Sequence, residues 1–195
     1  MTEPRPRVVR TGDGRISLRL GAQERMILAG LVGELRETVA APGSAPRTAA
    51  PGAGARDGAA ATATPDPVLA RLYPPAFPDD PEAEAAFQDL VRADLEDDRR
   101  DRVAVVDETL GATSLDEAQA AAWMGVLNDL RLVLGTRLGV TDETEAHPID
   151  EDDPDAERRI VYAYVGWLLE QFVDALAAGL PEIHEPGDGG AGERS

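Results

Sequence analysis

His147 stands among Asp142, Glu143, Glu145, Asp150, Glu151, Asp152, Asp153 and Asp155, an oxygen-rich surrounding of the kind that hard divalent cations take as ligands. The helix–loop–helix calcium pattern needs acids at alternating positions, a glycine at the sixth and a glutamate at the twelfth, yet no glycine falls between Gly139 and Gly166. A solvated acidic loop over 142–157 that brings negative charge to the start of the next helix explains the composition more simply, so no metal ligand is assigned. Asn128, Asp129 and Arg131 are the second constellation, polar positions inside an apolar stretch. Either Asn128 and Arg131 form a binding patch presented by a rigid helix, or Arg131 pairs with a carboxylate such as Glu170 while Asn128 bonds locally.

Catalytic assemblies are thin. His184 lies beyond the last expected helix, and neither histidine sits where a scaffold would hold a general base. The pairs Asp97/Asp98 and Asp152/Asp153 are expected at the surface, whereas acid–base work needs a carboxyl whose pKa burial has raised. Gly12-Asp13-Gly14 lacks the helix and lysine of a phosphate loop, Gly187 to Gly192 belongs to the tail, and the chain contains no cysteine. The expectation is a non-enzyme with no cofactor, the alternative being an enzyme or a divalent-cation-binding domain.

The elements that must position Asn128 and Arg131 follow from periodicity. Ser114 to Val140 reads as the central helix: Leu115, Ala118, Ala122, Trp123, Val126, Leu127, Leu130, Val133, Leu134 and Leu138 recur at three- and four-residue spacing. Met124 and Leu132 widen that face, so the helix should be largely buried. Ser114 with Glu117 has capping-box spacing, and Arg137 with Gly139 suits the other end. Upstream, Arg7 to Leu20 predicts a hairpin turning at Asp13-Gly14, which must lie on helices to be stable. A first helix over about Ala22 to Val39 carries Ile27, Leu28, Leu31, Val32, Leu35 and Val39 inward, with Glu24, Arg25, Glu34, Arg36 and Glu37 facing water.

Residues 66–81 predict a short helical turn and then a proline-rich segment anchored by Tyr73 and Phe77. Asp80 as cap and Pro81 at the first position open a long helix to about Leu110. Its apolar positions include Phe87, Leu90, Val91, Leu95, Val103 and Val106, and the charged run Glu96 to Arg102 should cross it exposed. Asp153 and Pro154 start a last helix with Val161, Tyr164, Val165, Leu168, Phe172 and Leu176 inward.

Residues 41–64 are rich in alanine, glycine and proline without a large apolar side chain, and are expected to be a disordered linker. Residues 1–40, a hairpin and one helix, are too small to hold a core alone, so they should join 65–184 in a single domain, with 185–195 as a disordered tail. The fold class is mainly α: a bundle of about four helices with a small N-terminal β-hairpin.

The net charge of −18 comes from 37 acidic residues against 19 basic ones, all of them arginine. Such a surface lacks the basic face that releases counterions from phosphate backbones, which disfavours nucleic acid and anionic membrane alike. The start MTEPRPRVVRTGDG has no apolar leader and no segment approaches a run of uncharged apolar residues of spanning length, so the expected compartment is the cytoplasm.

LNDLRLVLGTRLGV at 127–140 with Trp123 before it, LYPPAFPDDPEAEAAF at 72–87 and YVGWLLEQFVDAL at 164–176 together resemble an uncharacterised actinobacterial domain family. The resemblance covers both ends of the chain and skips the linker. It implies a shared fold without an assigned activity, and a gene neighbourhood often beside the Clp protease adaptor. The resulting expectation is a non-catalytic acidic interaction or regulatory protein with a protein partner, a link to regulated proteolysis being its narrower form and a structural homodimer the further alternative.

Overall fold

In the computed structural model the described residues are 6–40, 66–141, 149 and 153–180. The linker 41–64, the tail and most of the acidic loop around His147, as well as His184, therefore lie outside the described residues. The elements in chain order are β1 (Val8–Arg10), β2 (Ile16–Leu18), α1 (Ala22–Ala40), α2 (Pro67–Leu72), α3 (Pro81–Thr109), β3 (Ser114–Leu115), α4 (Glu117–Arg137) and α5 (Ala156–Ala177). The molecule is mainly α-helical, as expected.

The hairpin pairs Val8 with Leu18 and Arg10 with Ile16, and Gly14 takes φ 80° in its turn, a conformation glycine adopts without a Cβ penalty. A third strand completes the sheet: β3 pairs antiparallel with β2, Ile16 opposite Leu115. The spacing of Ser114 and Glu117 puts the helix cap at Ser114, and here the structure corrects it. Asp116 is the N-cap, accepting from the Gln119 backbone N–H at 2.8 Å while Gln119 Oε1 accepts from the Asp116 N–H at 3.0 Å. This reciprocal pair is a capping box two residues later than expected, which frees Ser114 and Leu115 to extend along β2.

α4 is the hub, packing against α1, α2, α3 and α5. Trp123, Val126, Leu127, Leu130, Val133 and Leu134 are buried on it, as its periodicity requires. Trp123 stacks on Phe172 of α5 with ring centroids 5.7 Å apart, and its indole N–H donates to Thr109 Oγ1 at 2.8 Å. α1 turns Leu28, Val32, Leu35 and Val39 inward. Glu24 and Arg25, expected in water, are tied down instead. Glu24 pairs with Arg7 and accepts from the Tyr164 hydroxyl, while Arg25 donates to the carbonyls of Leu20, Leu110 and Ala112. The Arg25 guanidinium thereby satisfies carbonyls just past the end of α3, where the helix has no partner for them.

α3 begins as the sequence indicates, Asp80 accepting from the Glu82 and Ala83 N–H groups at 3.2 and 3.0 Å. Its burial pattern differs from expectation. Leu90 is 78% exposed and Leu95 43%, while Glu84 and Arg92 are buried. α5 starts two residues later than Asp153-Pro154 suggests: Asp153 accepts from the Asp155 N–H at 2.8 Å and pairs with Arg159 at 2.7 Å, and the helix opens at Ala156. Among the described residues α5 is the one helix long and apolar enough to span a bilayer, a length the charges near its start conceal in the sequence. Val165, Leu168 and Phe172 on it are fully buried in the core, whereas Ile160 and Val173 are exposed.

Candidate functional site

The second half of α4 separates two grooves. On one flank, Asn128, Arg131, Leu132, Gly135 and Thr136 recur at three- and four-residue spacing and line a polar groove of about 610 Å³ with Arg71 of α2 and Tyr162 of α5. Asn128 is exposed at its edge, and Arg131 is half-buried with its guanidinium carbon 5.6 Å from the Tyr162 ring centroid. Gly135 seats the Tyr162 ring closely, since a Cβ there would stand 3.3 Å from Tyr162 Cε2, while one at Gly166 would make only an ordinary contact with Arg131. Glu170, the carboxylate the sequence suggested for Arg131, lines an adjoining cleft with Arg131 and Tyr162. The polar groove presents guanidinium, amide and hydroxyl groups, a donor set suited to carboxylate or carbonyl acceptors on a bound chain.

On the other flank, Ile27 and Leu31 of α1, Leu134 of α4, Leu138 just past its end and Val161 of α5 floor an apolar groove of about 630 Å³. Sequence reasoning missed this groove, because its residues count toward three separate helical stripes that the periodicity assigns to the core.

Asp129, between the two patch residues, turns the opposite way. It is 3% exposed and holds Arg99 through two hydrogen bonds of 2.7 and 3.1 Å. Burial opposes the Arg99 charge, but the Asp129 carboxylate outweighs it and leaves the Arg99 pKa above its ordinary value. Arg99 therefore does not share the exposed fate expected for the run Glu96 to Arg102; of the two pairs whose spacing suits the helix, Asp98/Arg102 forms on the surface at 2.9 Å, while Glu96/Arg100 is replaced by Glu96 with Arg92 and Arg100 with Asp97. Arg92 and Arg99 both lie on the Tyr73 ring, 3.8 and 4.5 Å from its centroid, and Arg92 pairs with Glu96 at 2.6 Å. The signal for this cluster was available: Glu84, Gln88, Arg92, Glu96 and Arg99 form a polar stripe at helical spacing.

No group of three or more histidine, cysteine or acidic side chains converges on a metal-binding geometry among the described residues. Asp153, Asp155 and Glu157 form the described end of the acidic loop, and the pairs Asp153 to Arg159 and Asp155 to Arg158 hold the start of α5.

Residues 4–176 match the model of a family described as a domain of unknown function, DUF2017. The chain belongs to this family. The match runs through the linker as well as the segments on either side of it. A curated relative from Mycobacterium leprae, named "Putative oxidative stress regulator AosR", is 32% identical over 130 residues, which cover 58% of this chain and 59% of that protein. The chain thus spans less than two thirds of the relative's length. No solved structure matches.

Proposed function

We propose that this DUF2017 protein is a non-catalytic, cytoplasmic regulatory protein that works by binding another protein, with the second half of α4 as its platform. The observation that carries this reading is the pair of grooves flanking that half-helix, one polar around Asn128 and Arg131 and one apolar, both open at the surface of a rigid helical body. The name of the mycobacterial relative supports a regulatory role. If that protein's named connection to oxidative stress extends to this chain, the response does not run through thiols here, because the sequence has no cysteine. Regulated proteolysis is the setting we favour, on the resemblance of the family's gene neighbourhoods alone.

Affinity capture from a related bacterium tests the reading. A protein partner recovered at low ionic strength, reduced at raised salt and reduced by Asn128→Ala with Arg131→Ala is the expected result. Recovery of no protein partner at low ionic strength would count against it.

A further inference from the structure

We propose that the apolar groove between α1, α4 and α5 is the docking site for one amphipathic helix of a basic protein partner. This inference rests on the reading of the chain as a protein-binding regulator and specifies what the partner presents. Its first support is an exposed apolar surface at the groove. Met26, at the mouth, is 69% exposed, and Ile27, Leu31, Leu134, Leu138 and Val161 continue the apolar surface inward.

The second support is Gly30. It lies on the groove wall in the middle of α1, where glycine weakens a helix relative to alanine. A Cβ there would meet nothing within 4 Å, so the described structure has no packing reason for the missing side chain. An incoming helix has one, since a glycine lets its backbone approach closely.

Charge selects the occupant. The rim arginines are already matched: Arg137 pairs with Glu34 at 2.9 Å and Arg158 with Asp155 at 2.9 Å, leaving Glu157 as a surplus carboxylate beside them. Two copies of a chain of net charge −18 repel, whereas a basic helix gains at the rim and over longer range. The wall from Met26 to Glu34 covers about 12 Å of helix, or roughly two turns. A groove whose described walls are helices takes a helix ridge, with apolar anchors at i, i+3 or i+4, and i+7.

The test is a titration of the full isotope-labelled chain, followed by amide NMR, with a synthetic peptide of roughly three helical turns carrying leucines at those positions and lysines elsewhere. The expected shifts fall on Met26, Gly30, Leu134 and Val161. A matched peptide with glutamates for lysines should bind at least about tenfold more weakly. Gly30→Leu should weaken binding of the lysine peptide at least about tenfold while the melting temperature holds or rises. Absence of shifts at those amides, equal binding of both peptides, or unchanged binding to Gly30→Leu each overturns the proposal. Self-association removed by Gly30→Leu would assign the groove to a second copy, and a contact in the free protein from the Met26 methyl to residues 41–65 or 181–195 would assign it to the chain itself; either result also overturns it. If these fail while a partner is still captured through Asn128 and Arg131, the regulatory reading stands without this site.

Discussion

α5 and the first half of α3 are buried by opposite means. α5 meets α4 through Val165, Leu168 and Phe172, all fully buried, with Phe172 stacked on Trp123. The first half of α3 turns inward Glu84, Gln88, Arg92 and Glu96, which bond one another and the chain ahead of the helix, and Arg99 closes the stripe on Asp129 and Tyr73. Apolar burial is non-directional and tolerates some repacking. A buried charged ladder depends on each partner being in place, because an orphaned charge keeps its desolvation cost. The difference separates a region that supplies bulk stability from one that specifies how α3 lies on α4 and on the segment from Leu72 to Phe77.

Substitutions at the two interfaces can break this contrast. Trp123→Ala should cost the most, about 3–5 kcal/mol by chemical denaturation, since it opens a cavity against Phe172. Asp129→Ala should cost about 3 kcal/mol by leaving Arg99 with the Leu72 carbonyl as its remaining hydrogen-bond acceptor, and Arg99→Leu combined with Asp129→Leu should recover most of that loss. If the double variant were as unstable as the single one, the ladder would be a source of stability in its own right and the contrast would fail.

Smaller effects sharpen it. Asp80→Ala removes the acceptor for two N–H groups at the start of α3 and should cost about 1 kcal/mol. Acid should act on the polar region. The Phe77 N–H, followed by Gln88, holds the Glu84 carboxyl below its usual pKa. A folded pKa below the unfolded one gives stability that is complete above the unfolded value of about 4.3 and lost as pH falls through the folded value. The melting temperature should therefore be level down to about pH 5 and decline below about pH 4, and Glu84→Gln should make that decline shallower. Asp153, held low by the Asp155 N–H and Arg159, contributes in the same direction at the start of α5.

The apolar half of the molecule was legible because periodicity reports burial directly: Leu28, Val32, Leu35, Trp123, Leu127 and Leu168 fall where the three- and four-residue spacing puts them. So were Asp80-Pro81 and the Asp13-Gly14 turn, whose chemistry is local. The polar stripe of α3 misled the same method, since Leu90 and Leu95 fitted an apolar stripe while Arg92 and Arg99 reached inward to an aromatic ring and a carboxylate contributed by distant sequence. Ser114 satisfied the capping pattern as well as Asp116 did, and only the pairing with β2 from far upstream decides between them. Asn128 and Arg131 were identifiable as a patch from one helix, whereas Arg71 and Tyr162 join it only through packing.

The short strand β3 has a topological consequence. It joins β2 just ahead of α4, Arg15 reaches Ser114, Gln171 Oε1 accepts the Arg7 and Val8 N–H groups, and α1 packs on α3 and α4. Residues 6–40 are thereby stitched to 66–180 through a sheet, a helix interface and side-chain ties from both ends of the later sequence. None of these ties uses the covalent continuity across 41–65, so a backbone cut there should leave a two-piece molecule that stays assembled, and the same seam is a natural place to split the protein into complementing halves.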